Sequence, residues 1–276
     1  MKLAVSNIAW QDGDESQVLD LLDRLGVAGI EVAPTRIWPD WAGATAAAAA
    51  AAGRRLMERG FQVPALQAIL YARPELKVFG QAAERRALID HIGFVAELGQ
   101  ALGARVLVFG SPRNRDKGTL RPEEAIERAV EVFRRAAERC QPYGVALCLE
   151  PNPEVYHCTF MTHWHEAAEV VARVDHPALG LHLDAACMAL AGDDPAAAVR
   201  ASQGRFRHFH VTEPNLGPFA APEIDHRAVG RALREVGYDG WRSIEMRRAD
   251  DPIAAITRAV QVARDAYGSG GPDDPR

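Results

Sequence analysis

Glycine punctuates this chain at intervals, and each time an apolar, β-rich run follows. "RLGVAGIEV", "RGFQVPAL", "LGARVLVF", "YGVALCLE" and "VGYDGWRSIEM" share that form. A helix that turns back into a strand needs a left-handed residue just past its last turn, and glycine adopts that conformation without a Cβ penalty. The runs are continuously apolar rather than alternating, as in strands buried on both faces of a parallel sheet. Eight of them fall at 3–8, 29–33, 63–69, 105–109, 146–150, 179–184, 206–211 and 241–246. Helical patterns lie between them, at about 15–25, 43–59, 83–102, 122–141, 164–174, 194–202, 226–235 and 252–267. "RPEEAIERA", "GDDPAAAV" and "ADDPIAAI" carry helix-start signals, with proline in the first turn and acids beside it.

Eight β-then-α units predict an α/β chain closed into a (β/α)8 TIM barrel, one domain over residues 1–268. The rival, a doubly wound open sheet, is weakened because no GxGxxG turn follows the first strand. The Gly/Pro/Asp-rich end, residues 269–276, is expected to be a disordered tail. The formal net charge of −5 argues against a nucleic-acid surface. Four cysteines show no CxxC spacing, which disfavours a zinc ribbon or a redox pair. "MKLAVSNIAWQDGDES" lacks the pattern of a secretory signal, and "ATAAAAAAA" is too short to span a bilayer. The expectation is a cytoplasmic protein with reduced thiols and no membrane or nucleic-acid partner; a homo-oligomer is compatible with the sequence.

The catalytic end of such a barrel is where its strands finish. Glu150 ends the fifth run, Asp184 ends the sixth, His210 lies late in the seventh and Glu245 late in the eighth. Barrel closure would bring them together, and three clustered carboxylates repel one another unless a cation sits among them. One imidazole with three carboxylates suits one divalent ion such as Mn, Mg, Co, Fe or Zn. Taken singly, each has a plainer reading. Glu150 could cap a turn, Asp184 could be a helix N-cap, His210 a bonded core histidine and Glu245 the partner of Arg247 or Arg248. Four consecutive strands each ending in a ligand-type residue favour the metal reading, because stability requires no such series.

These motifs resemble the xylose isomerase-like TIM-barrel superfamily, in its sugar (phosphate) isomerase/epimerase branch of ketose 3-epimerases and inosose isomerases and dehydratases. "CLEPNP", "LHLDAA", "HFHVTEPNLGPF" and "SIEM" carry the likeness in order, with "AVSNIAW" and "GIEVAPTRIW" near the start. The resemblance implies Glu150, Asp184, His210 and Glu245 as metal ligands, with Glu150 and Glu245 also the acid/base pair on opposite faces of the substrate. Epimerisation beside a carbonyl removes an α proton and returns it on the other face through an enediolate, which a divalent ion stabilises. Two positions depart from the ketose epimerases. Cys187 stands where they have a substrate-contacting histidine, and Leu216 falls near their substrate-binding arginine.

Further substrate contacts are expected from His182, Asn152, Tyr156, Gln67 and Glu213. Trp10 offers a ring to stack on a sugar, as do Trp38 and Trp41. Arg113 and Arg115 in "FGSPRNRDKG" offer anion recognition. His208 and Cys187 are expected behind the ligands. The predicted function is a divalent-metal-dependent isomerase or epimerase of a sugar, sugar phosphate or cyclitol. The alternatives are a lyase or dehydratase on the same scaffold, and a sugar-binding homologue without catalysis.

Overall fold

The structure, a computed structural model, describes residues 1–268. The expected tail, 269–276, lies outside the described residues. In chain order the elements are β1 (Lys2–Ser6), α1 (Glu15–Arg24), β2 (Gly29–Glu31), α2 (Pro34–Ile37), α3 (Ala46–Glu58) and β3 (Ala65–Leu66). There follow α4 (Ala82–Leu102), β4 (Val106–Phe109), α5 (Pro122–Cys140), β5 (Ala146–Leu149), α6 (Trp164–Val174) and β6 (Leu179–Asp184). The chain finishes with α7 (Ala185–Leu190), α8 (Pro195–Ser202), β7 (His208–Val211), α9 (His226–Glu235), β8 (Trp241–Ile244) and α10 (Pro252–Tyr267).

All strands pair in parallel, in the order β2-β1-β8-β7-β6-β5-β4-β3. The two outer strands meet through bridges between Gly29 and Gln62 and between Val32 and Leu66. Hydrogen bonds from Ile30 N to Gln62 O (2.9 Å) and from Gln67 N to Val32 O (2.9 Å) help close the ring. The result is a nearly closed TIM barrel, as the sequence predicts. The run expected over 63–69 shortens to two paired residues because Ala68 takes φ 51°, which ends the extended backbone. The short helices α2 and α7 are additions to the expected set.

Local chemistry accounts for the helix ends. Asp194 and Asp251, each just before a proline, accept hydrogen bonds from first-turn amides of α8 and α10. Gly103 ends α4 at φ 96°, the left-handed turn expected before β4. No helix of the described residues is long and apolar enough to cross a membrane.

The barrel interior is divided lengthwise. On the β3–β5 side it is apolar, with Ala65, Val106, Val108, Ala146 and Cys148 packed together. On the other side it is polar, with Ser6, Glu31, His182, His208 and Ser243 all buried. A core of this polarity is stable only if its members satisfy one another or bind something.

Candidate metal centre

The polar half of the barrel converges on the Nδ1 atom of His210. It lies 3.1 Å from Glu245 Oε2, 3.6 Å from Glu150 Oε1 and 3.6 Å from Asp184 Oδ2. The ligand-type atoms of these four side chains all lie within 4.8 Å of one another. Donors about 2.0–2.2 Å from a shared ion lie roughly 3.0–3.5 Å apart, so the spacing fits a single ion with little movement. The donor set fits as well. His210 Nδ1 is buried without a protein hydrogen-bond partner, and hard carboxylate oxygens with one imidazole suit a divalent cation.

Each member is held from behind. Asp184 commits Oδ1 to Cys187 N (2.7 Å) and to the Thr212 hydroxyl (2.7 Å), which leaves Oδ2 facing His210. Its N-cap role and its place in the cluster therefore coexist, one oxygen each. His210 donates from Nε2 to Glu31 Oε1 (2.9 Å), so Nδ1 is the atom presented to the carboxylates. His208 donates to the other Glu31 oxygen (3.0 Å). Glu31 is fully buried and reaches across the barrel from β2 to β7. Burial alone would raise its pKa, but the charges of His210 and His208 hold it well below the usual carboxylate range. Sequence reading missed this residue, whose signal was a lone charge inside the apolar run "GIEVA".

Glu150 takes its position from three neighbours. Asn152 Nδ2 lies 3.3 Å from its Oε2. Arg115 donates to its backbone carbonyl (2.6 Å) and to Asn152 Oδ1 (2.6 Å). Gly110, at the end of β4, leaves the space: a Cβ there would lie 1.6 Å from Glu150 Oε2. Gly110→Ala is accordingly expected to push the Glu150 carboxylate out of the cluster and to weaken metal binding tenfold or more, by order of magnitude. Calorimetric metal titration beside a melting curve checks this; unchanged affinity in a folded variant would refute it.

Several expected contacts are placed differently. Arg115 is fully buried with its donors spent on protein, its third bond going to Cys158 Sγ at 3.3 Å, so it braces Glu150 and does not meet an anion. Trp10 is 3% exposed and lines a separate cavity with Asn7 and Arg36, away from the cluster. Trp41 is spent on the Tyr71 carbonyl (3.0 Å) and the edge of His91. Glu213 lies beside the cluster, but its oxygens accept from Glu223 N (2.7 Å) and bond His226 (2.7 Å), which tie down the loop after β7.

Others do face the cleft. Asn152, Tyr156, Cys187 and Leu216 line a cavity of about 280 Å³ over Asp184, and Gln67 and Arg113 line another beside Glu150 and Glu245. The Tyr156 hydroxyl accepts from Asn215 N (2.9 Å), which links the loops after β5 and β7 over the cavity. His182, expected to contact substrate, is instead fully buried and lines neither cavity: it packs against His210 with ring centroids 4.2 Å apart, its Nδ1 lies 3.6 Å from Glu150 Oε1, and neither of its nitrogens has a hydrogen-bond partner. Burial and the neighbouring imidazoles hold it neutral, well below the ordinary histidine range. Burial and the carboxylates of Asp184 and Glu150 raise the Cys187 thiol well above its ordinary value, so it stays neutral.

The family model described as xylose isomerase-like TIM barrel matches residues 19–266. The chain belongs to this family. Among its relatives in the family is a D-psicose 3-epimerase of Ruminiclostridium cellulolyticum, 30% identical over 41% of this chain and 39% of that one. An inosose dehydratase of Lacticaseibacillus casei is 24% identical over 61% of this chain and 64% of that one. Both alignments thus take in less than two thirds of the relative's length. The IOLI protein, crystallised with a zinc atom, shares the fold at a TM-score of 0.76 and 20% identity, over 97% of this chain and 98% of that one.

Proposed function

We propose that this member of the family is a divalent-metal-dependent isomerase or epimerase of a sugar, sugar phosphate or cyclitol. The observation that carries the reading is the convergence of Glu150, Asp184 and Glu245 on His210 Nδ1 at the mouth of the barrel. Stability does not call for three carboxylates there. The epimerase and zinc-binding relatives support the same reading. A divalent ion held by these four side chains would supply Lewis-acid stabilisation of the charge that develops on the substrate's carbonyl and hydroxyl oxygens.

The chain's own residues do the rest. Glu150 and Glu245 reach the cleft from β5 and β8 and face the substrate from different sides. One takes the proton from the carbon next to the carbonyl, and the other returns a proton on the opposite face. Burial, with the charges of Glu150 and Asp184, pushes Glu245 up to about 7 against the pull of His210. That is its state with no ion among the carboxylates; a dication held beside it would favour the carboxylate form that accepts the proton. Asn152 and Tyr156 orient hydroxyls, and the loop link through Tyr156 limits water over the reacting carbon.

The test is solvent deuterium exchange into ketoses, sugar phosphates and inososes with Mn, Mg, Co, Fe or Zn supplied. Deuterium at the α carbon, lost on chelation, is the expected result. Absence of exchange into every sugar that binds would leave a binding protein. The dehydratase relative keeps a lyase reading open, in which a β-hydroxyl leaves after the same proton removal. Loss of water from the product mass would decide for it.

Metal affinity should depend on pH in a stated direction. Burial opposes charge on His210, but Glu31 and Glu245 outweigh it and raise its pKa well above the ordinary value. In chelator-stripped protein His210 therefore carries a proton, and Glu245 gains one as pH falls through about 7. Ligation needs both groups deprotonated, so ion binding releases protons and affinity falls with pH, more steeply below about 7. Titration calorimetry in buffers of different ionisation enthalpy measures this. An affinity flat from pH 6 to 8 would remove both groups from the ligand set.

A further inference from the structure

The cleft continues past the four-residue cluster. Two cavities flank it and share Glu150, Glu245, Gly110 and Pro112 in their walls. The one over Asp184 and Thr212 holds about 280 Å³. At roughly 30 Å³ per water, a hexose of a dozen heavy atoms takes the space of about seven waters, so one sugar ring fits there. The second cavity, about 500 Å³, extends under the loops after β3 and β4. A monosaccharide seated against Glu150 and Glu245 would leave it largely open to solvent.

Its walls have a definite character. Leu70, Pro74 and Val108 supply apolar surface, and Gln67 and Ser111 supply polar groups. Tyr71 stands at the rim 66% exposed, the one aromatic among the strongly exposed large apolar residues described. An aromatic face beside apolar wall and scattered hydrogen-bonding groups suits a sugar ring, which has an apolar C–H face and hydroxyls at its edge. A phosphate would call for converging cations or amides. Arg73 is paired with Glu75 through Nε (2.6 Å) and lies against His91 Nδ1 through Nη1 (3.4 Å), so its charge is offset by a carboxylate, and Arg113 is exposed at the edge. The two alanines that curl around the cavity, Ala68 and Ala72, hold φ of 51° and 60° with small side chains that keep it open.

We infer that the substrate carries a second, neutral, ring-sized unit, so that it is a keto sugar joined to a glycosyl or comparable ring. The keto unit lies against Glu150 and Glu245, and the second ring lies in the larger cavity on Tyr71. The orientation of the keto unit rests on the proton-transfer reading above; the room for a second ring rests on the cavity.

The experiment uses the full chain loaded with Mn²⁺. Calorimetry compares free ketohexoses, their phosphates and a panel of keto-disaccharides differing in linkage. At least one keto-disaccharide is expected to bind ten or more times more tightly than the free ketose. Tyr71→Ala should shrink that ratio severalfold, and Ser111→Trp, which fills the cavity, should abolish it. Equal affinities, or a phosphate binding more tightly than every disaccharide, would overturn the inference. Deuterium exchange on the same samples reads the chemistry separately. Preference for a disaccharide without exchange sinks the proton-transfer reading alone. Exchange into free ketose with no such preference sinks the second-ring inference alone, and no binding by any of these sugars sinks both.

Discussion

Glu150→Gln and Glu245→Gln are each expected to cut solvent-proton exchange into bound sugar by about 10²–10⁴-fold while the barrel stays folded. Glutamine keeps the shape of the side chain, and for Glu150 that matters because Gly110 leaves room for this outline and no more. Its amide oxygen can still approach an ion, but the group no longer takes up or returns a proton. The loss should therefore fall on kcat far more than on sugar affinity. Exchange measured by mass spectrometry, with metal content checked in the same sample, separates a lost base from a lost ion. Full exchange in either variant would remove that glutamate from the mechanism.

Glu31→Ala is expected to be the most damaging change remote from the substrate. It strips the acceptor from two buried imidazoles, His208 and His210. Breaking a buried charged pair by deleting one partner costs on the order of 3–5 kcal/mol. Glu31→Gln separates packing from charge. One amide oxygen can serve one histidine, while the NH₂ faces the other and demands a lone pair from it. If that other is His210, its proton moves to Nδ1, the atom that faces the carboxylates. Metal affinity is then expected to fall about 10–100-fold in a protein that still melts cooperatively. Wild-type affinity and melting temperature in both variants would show that Glu31 does not orient His210.

Most of the architecture was readable before the fold was seen, because its signals are local. Five of the eight strands announce themselves by a glycine turn before an apolar run, and α8 and α10 by an aspartate before proline. The cluster was readable for a different reason: a barrel brings successive strand ends together, so four polar strand ends imply a site. Glu31 escaped because its partners lie 177 and 179 residues away, and nothing near it in sequence hints at them. Arg115 looked like an anion-recognising group of a basic loop. Its burial is set by the segment 150–158 folding over it, a tertiary fact that composition does not carry. Helix α7 was missed because it starts directly on Asp184, with no intervening loop residues to mark it.

The divided duty of Asp184 has a kinetic consequence. Its Oδ1 is retained by Cys187 N and Thr212 whatever the other oxygen meets, so this side chain needs no rearrangement to receive a cation. Loading should then resemble capture by a rigid chelator, quick and without a folding phase, and removing the cation should leave the backbone where it was.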